Sequence, residues 1–255
     1  MGRLGIIACQ VLEKELACLL REHREISRIY LERNAENMRF ASLLDDGRIR
    51  IVNDADFLPV RCSGTEVLVD VLPAALHTDV DELEYRCNAR VDAMMQNTSA
   101  ILMFMGLCGN ALQTVVARED VPIVTIDDEG LVDDCIVALL GRERYMEELR
   151  KTGSFFLSNG WVTHWDRIVR KIERDMESFN MVLRLDDYKR TRYIHTPGVD
   201  EADILAAAQD LSNDMELEFT SMHGSLDLLD DAIERGIDAS RKRSTKVLMP
   251  KDRNM

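Results

Sequence analysis

The 255-residue sequence has no long apolar run. Its longest, such as "AILMFMGLC" at 100–108, falls far short of the roughly 20 residues that a membrane-spanning helix needs. The first residues, "MGRLGIIACQVLEKEL", hold too short an apolar segment for a secretory signal, and acidic residues follow at once. A cytoplasmic protein is therefore expected. Positive charge is also in deficit. The formal net charge is −14 and the pI is near 4.8, so phosphate backbones and anionic membranes are repelled as partners. No CxxC pair occurs, which removes zinc ribbons and ferredoxin-type runs. Also missing are a GxGxxG after the first apolar stretch, a GxxxxGK[ST] phosphate loop and a GxSxG elbow. There is no internal repeat and no low-complexity block.

What is present is the balance of a soluble globular protein, 46% hydrophobic and 31% charged. Short apolar runs alternate with helical patterns. "LGIIAC" (4–9) reads as a buried strand, and "QVLEKELACLLREH" follows with Val11, Leu12, Leu16, Leu19 and Leu20 at helical spacing. Residues 24–66 are ambiguous, and "RIRIVNDADFLPVRCSGTE" reads as a hairpin or a loop insertion. "VLVDVLPAALH" contains a second strand broken near Pro73; "DVDELEYRCNARVDAMMQ" is a helix with an acidic first turn. "SAILMFMGLC" and "VPIVTID" are further strands, followed by the helical "NALQTVVARE" and "DDCIVALLGRERYMEELRK", the latter interrupted near Gly141. Four such alternations predict an α/β fold with a doubly wound, mostly parallel, Rossmann-like sheet covered on both faces.

The expected organisation is an α/β core over 1–160, a helix-rich α/β extension over 161–238 and a polar basic tail over 239–255. In the extension, "SFFLSNGW" reads as strand and turn. "WVTHWDRIVRKIERDMESFNMVLRL" reads as one long helix, "VDEADILAAAQDLSN" as another, "MELEFTSM" as a strand and "SLDLLDDAIERG" as a helix. These elements either extend the same sheet or form a smaller lobe.

Ligands of open parallel sheets bind outside the carboxyl ends of the strands. Cys9 falls at the end of the first strand, His77 just after the second, Cys108 at the end of the third, and Cys135 after the fourth. Each strand–helix unit thus delivers one soft or borderline ligand to the same edge. Gly106, Gly109 and Asn110 form the turn around Cys108, where glycines let the backbone approach a bound group. The competing reading is packing, since free cysteine is among the most buried residue types. Cys18 and Cys87 lie within helical patterns and read as structural, and Cys62 lies in the ambiguous stretch. His23, His195 and His223 have no partner at ligand spacing, and His164, between two tryptophans, reads as packing at a helix start. Asp127, Asp128, Glu129, Asp133 and Asp134 suit acid–base work or a hard metal, although caps and solvated loops explain such carboxylates more often.

The pieces "IIACQVLEKEL", "LPAALH", "MGLCGNAL", "DDCIVALLG" with "RERY", and "NGWV" occur in order over residues 5–162. In these the chain resembles a family of uncharacterised prokaryotic proteins of unknown function, common in methanogens and anaerobic bacteria and often encoded near corrinoid-dependent methyltransferases. The resemblance implies an α/β fold and marks Cys9, His77, Cys108 and Cys135 as motif positions. It supplies no activity. The chain departs from the family pattern at Asp133, where a histidine is common, and at Ala111, where a glycine is common.

Two classes of function follow. Three cysteines and a histidine suit tetrahedral zinc, which holds a substrate thiol as thiolate. With the company the resemblance implies, methyl transfer involving a corrinoid or a thiol is the leading expectation. An iron–sulfur cluster on Cys9, Cys108 and Cys135 is the nearest rival. The other class is a non-enzymatic protein that binds a cofactor, a corrinoid or a methyltransferase partner through the same crevice.

Overall fold

The computed structural model describes residues 2–53, 58, 64–108, 111–127, 132, 134–151, 153–199 and 202–247. The chain starts with β1 (Arg3–Cys9), a 3-10 turn (Gln10–Leu12) and α1 (Glu13–Glu22). Then come β2 (Ile26–Glu32), α2 (Ala35–Leu44), β3 (Ile49–Val52) and β4 (Thr65–Leu72). A second 3-10 turn (Leu76–Thr78) leads into α3 (Val80–Met95), β5 (Ala100–Phe104), α4 (Gln113–Val116) and β6 (Ile123–Thr125). The remainder holds α5 (Cys135–Leu140), α6 (Arg142–Leu149), β7 (Ser154–Leu157), α7 (Asn159–Thr163), α8 (Trp165–Ile172), α9 (Met176–Leu185), β8 (Arg190–His195), α10 (Ala202–Asp214), β9 (Glu218–His223) and α11 (Asp227–Val247).

Six strands form one sheet in the order β3-β2-β4-β1-β5-β6, parallel throughout. Period-2 alternation assigns its two faces. Leu4, Ile6, Val67, Val69, Leu102 and Phe104 point to the side covered by α1, α2 and α11; Ile7, Leu68, Ile101 and Met103 point to the side covered by α3 and α4. The doubly wound expectation is met. Each fully buried leucine or isoleucine here contributes about 1.5–3 kcal/mol, which is why strands buried on both faces read as unbroken apolar runs.

The ambiguous stretch is a β-α-β unit rather than a hairpin, since β3 lies parallel to β2. Arg28 and Glu32 interrupt the apolar pattern of β2, whose Ile29, Tyr30 and Leu31 are nonetheless buried. In "NALQTVVARE" only one turn, α4, is helical. The single long helix expected after Trp161 is three helices, broken at His164 and at Glu173, where the backbone is extended (φ −135°, ψ 167°). Asp175 then caps α9 by accepting from the Ser178 N–H. An unforeseen strand, β8, pairs parallel with both β7 and β9 as a separate three-stranded sheet. Residues 239–247, expected to be tail, continue α11; Ser240 is buried and a Cβ on Gly2 would meet its carbonyl at 2.2 Å.

Buried polar contacts join β1 to β4, and α1 to α2 and α7. Arg3 and Glu66 pair at 2.8 Å with both side chains buried, the guanidinium lying over the Tyr30 ring. At the start of α1, Glu13 accepts from His164 at 2.8 Å and from Arg39 at 3.0 Å, and Glu15 accepts from Asn159 and Thr196, each at 3.0 Å. Burial opposes the charge on Glu13, but the His164 and Arg39 hydrogen bonds outweigh it and hold its pKa below the usual range. For Glu15 burial wins, and its pKa is raised despite the Asn159 and Thr196 hydrogen bonds. A carboxyl with a raised folded-state pKa contributes most favourably below its unfolded value, about 4.3, and stability falls as pH rises through the folded value. Glu15→Gln removes that fall. Its stability relative to the native chain, measured by urea unfolding from about pH 4 to pH 8, is expected to improve progressively above about pH 4.3; a pH-independent difference would show that Glu15 is not carrying a proton.

Candidate functional site

After β1 the chain crosses to β2 on one side of the sheet, and after β4 it crosses back over β1 to β5. The helices that make these crossings, α1 and α3, lie on opposite faces. The ends of β1 and β4 therefore part, which is where α/β proteins keep their binding crevice. A cavity of about 540 Å³ opens there, lined by Cys9, Val11, Leu72, Pro73, Leu76, His77, Val80, Leu83, Met105, Cys108, Asp134, Cys135, Ile136 and Trp161. All four sequence-predicted ligands are in its wall.

Cys9 ends β1. The next side chain, the buried Gln10, accepts the Ala74 N–H at 3.0 Å and so pins the segment leaving β4. That segment passes through Ala75 in the left-handed region (φ 66°), a conformation that costs a non-glycine residue about 1 kcal/mol or more. It delivers His77 on a 3-10 turn at the cavity rim. His77 is open to solvent on one side, yet enough protein surrounds the imidazole to lower its pKa by desolvation, against the pull of Asp134.

Cys108 also has a positive φ, 50°, and its Sγ turns back to the Gly106 carbonyl at 3.3 Å. Burial, then the neighbouring Cys135 and Asp134, push its pKa up. The reason for glycine at 106 is a close approach to the chain itself: a Cβ there would stand 2.4 Å from the Cα and carbonyl carbon of Asp134. Gly106 is not in the cavity wall; Gly109 and Asn110, the other predicted binding positions, lie outside the described residues, as do Cys62, Asp128, Glu129 and Asp133.

Asp134 caps α5, its Oδ1 accepting the Ile136 and Val137 N–H groups at 2.7 and 2.9 Å and its Oδ2 accepting from the Tyr145 hydroxyl at 3.1 Å. Cys135 is the first residue of that helix. A hydrogen bond with the Cys9 side chain, then burial, raises its pKa, opposed by the Gly106 backbone N–H. Among the described residues no group of three or more His, Cys, Asp and Glu side chains is already drawn together to hold a metal ion.

The remaining predicted bystanders have partners or no role here. Cys18 and Cys87 are buried, and burial lifts the Cys87 thiol to about 12. His23 lies between Glu25 and Asp230, each at 2.8 Å. His195 and His223 are register partners on β8 and β9. Sequence reasoning missed Trp161 as a cavity residue. The signal was the Asn159-Gly160-Trp161 run, in which glycine is required: a Cβ on Gly160 would lie 2.0 Å from the Val11 carbonyl oxygen, so only glycine lets α7 press onto the turn after Cys9.

The fold and crevice define a doubly wound α/β protein with a thiol-lined cavity at its strand ends. The chain belongs to the family described as "Protein of unknown function (DUF1638)", which matches residues 71–233 and so takes in His77, Cys108, Cys135 and Trp161 but not Cys9. No curated protein and no solved structure matches the chain.

Gly106→Ala tests the close approach. Forcing a Cβ against Asp134 is expected to cost about 1–3 kcal/mol and to speed alkylation of Cys135 by iodoacetamide, read by peptide mass spectrometry. Unchanged unfolding and labelling would mean the contact yields without strain.

Proposed function

We propose that this protein is a metal-dependent enzyme in which Cys9, His77, Cys108 and Cys135 hold zinc, and that it transfers a methyl group involving a thiol or a corrinoid. The observation that carries this reading is that three sulfurs and one imidazole, from four separate segments, line one cavity at the strand ends. The donor set is the soft one zinc accepts, and a ligand imidazole must be neutral, the state that the desolvation of His77 favours. Thiols whose pKa burial raises keep their protons until a cation arrives; a bound cation deprotonates them outright. Loading requires the Cys108 side chain to turn from the Gly106 carbonyl into the cavity.

When bound, zinc would supply Lewis acidity that keeps a substrate thiol as its nucleophilic thiolate, for which one of the four protein ligands has to yield its position. The rest falls to this chain. Leu72, Val80, Leu83, Ile136 and Trp161 give apolar walls that hold water away from a methyl group. The substrate sulfur forms its bond to the methyl carbon, the donor leaves with the electrons of the bond it loses, and the thiol proton passes to solvent. One observation favours a second reading, an iron–sulfur cluster on the three cysteines alone: His77 is exposed at the rim whereas all three thiols are partly buried.

Elemental analysis with an anaerobic absorption spectrum separates these readings. Zinc gives a colourless chain with about one metal ion, and a cluster gives visible absorbance. Less than roughly 0.2 metal per chain after careful reconstitution would overturn both, leaving a protein that binds a cofactor or partner through the crevice while its cysteines pack. Cys9→Ser, Cys108→Ser and Cys135→Ser are each expected to weaken zinc binding by at least the roughly 10–100-fold that losing even an outer partner costs. Cys87→Ser, on the buried face of α3, should leave metal content unchanged.

A further inference from the structure

We propose that His195 and His223 form a binding site for a divalent transition ion of the nickel, copper and zinc group, with water in the remaining positions. The site lies on the second sheet and does not depend on the zinc reading of the crevice. His195 ends β8, His223 ends β9, and the two are register partners in that parallel pair. Register partners project to the same face of a sheet, from strands about 4.8 Å apart. Here that face is the one carrying Tyr193, opposite to Ile194 and Met222. The two imidazoles lie side by side, with ring centroids 5.5 Å apart and planes inclined by 39°. A metal–nitrogen bond of about 2.05 Å, with the ring centre about 1.15 Å behind the nitrogen, puts each centroid about 3.2 Å from an ion. Two such rings at a tetrahedral angle have centroids about 5.2 Å apart. Side-chain rotation on the existing backbone is therefore enough to admit an ion between them.

The backbone under the pair is fixed. The Gly224 N–H donates to the His195 carbonyl at 2.7 Å and ties the end of β9 to the end of β8. The fully buried Tyr193 meets the His195 ring at 4.9 Å, nearly perpendicular to it, so one ligand is held before an ion arrives. His223 is exposed and His195 partly so, which gives an ion a path from solvent. Among the described residues no third His, Cys, Asp or Glu joins the pair, so water completes the shell. The net charge of −14 draws any cation towards the chain. Selection comes from the two nitrogens, because imidazole suits zinc, copper and nickel whereas magnesium and calcium take oxygen.

The test titrates Ni²⁺ into the full reduced chain at about pH 7.5, where free imidazole is mostly neutral, with Mg²⁺ as the control. Calorimetry reads binding, and paramagnetic broadening of the His195 and His223 ring signals in NMR spectra reads its place. The native chain and Cys108→Ser are expected to lose both ring signals at the same Ni²⁺ concentration, and Mg²⁺ to leave them sharp. His195→Ala and His223→Ala are each expected to weaken this binding at least about tenfold, the least that losing even an outer partner of a metal site costs. His223 is exposed, so His223→Ala decides the matter should His195→Ala fail to fold. Ring signals untouched by Ni²⁺, equal broadening of His195 in folded His223→Ala, or Mg²⁺ bound as tightly would overturn the proposal. Ni²⁺ uptake that Cys108→Ser abolishes and His223→Ala leaves intact belongs to the crevice and refutes this site alone. The reverse pattern supports this site and counts only against the zinc reading.

Discussion

One side-chain amide holds the crevice in shape. Gln10 sits buried between the ends of β1 and β4, the two strands whose chains leave for opposite faces, and takes the Ala74 N–H at 3.0 Å. An unpaired backbone N–H in this place would cost about 1–3 kcal/mol, so the bond fixes where the segment after Pro73 runs. Arg167 reaches the same amide oxygen from α8 at 3.3 Å. Cys9 precedes Gln10 directly and His77 follows Ala74 by three residues. The separation between them across the crevice is set by this contact and by the left-handed turn at Ala75.

The second sheet matters to the crevice because of what it pushes against. Gly160 permits α7 to lie on the Val11 carbonyl, and this brings Trp161 to the cavity wall. The seam beneath it is polar. Asn159 donates to Glu15 and accepts from the Tyr193 hydroxyl, and His164 bonds to Glu13. Buried carboxylates are costly unless partnered, so this seam is tolerable only with the second layer in its observed position.

Much of the sheet was legible because its strands are buried on both faces and write continuous apolar runs, as "LGIIAC" and "AILMF" do. Strands β2 and β8 were hidden for one reason: polar and charged residues alternate through them, with Arg28 and Glu32 in one and Arg190 and Arg192 in the other. The three-helix path after Trp161 was hidden because breaks at His164 and Glu173 come from tertiary contacts and a cap, which helical spacing does not record. That Cys9, His77, Cys108 and Cys135 line one cavity was legible from the rule that strand ends face the crevice. The reason for glycine at 106 was not, since it depends on a segment nearly thirty residues later passing within 2.4 Å of the missing Cβ.

Strand β8 has a property that its sequence does not announce. Its Tyr193 enters the small core with Leu157, Phe179 and Leu211, while the adjacent Ile194 enters the main core with Leu139, Met222 and Ile233. Helix α11, the last of the described elements, closes over β1, β5 and β6 of the first sheet. The small sheet therefore contributes Ile194 and Met222 to the core of the large one. Stripping it away would uncover apolar surface on the main core around Ile194 and Met222, so the strand-end edge takes its setting from residues far apart in the sequence.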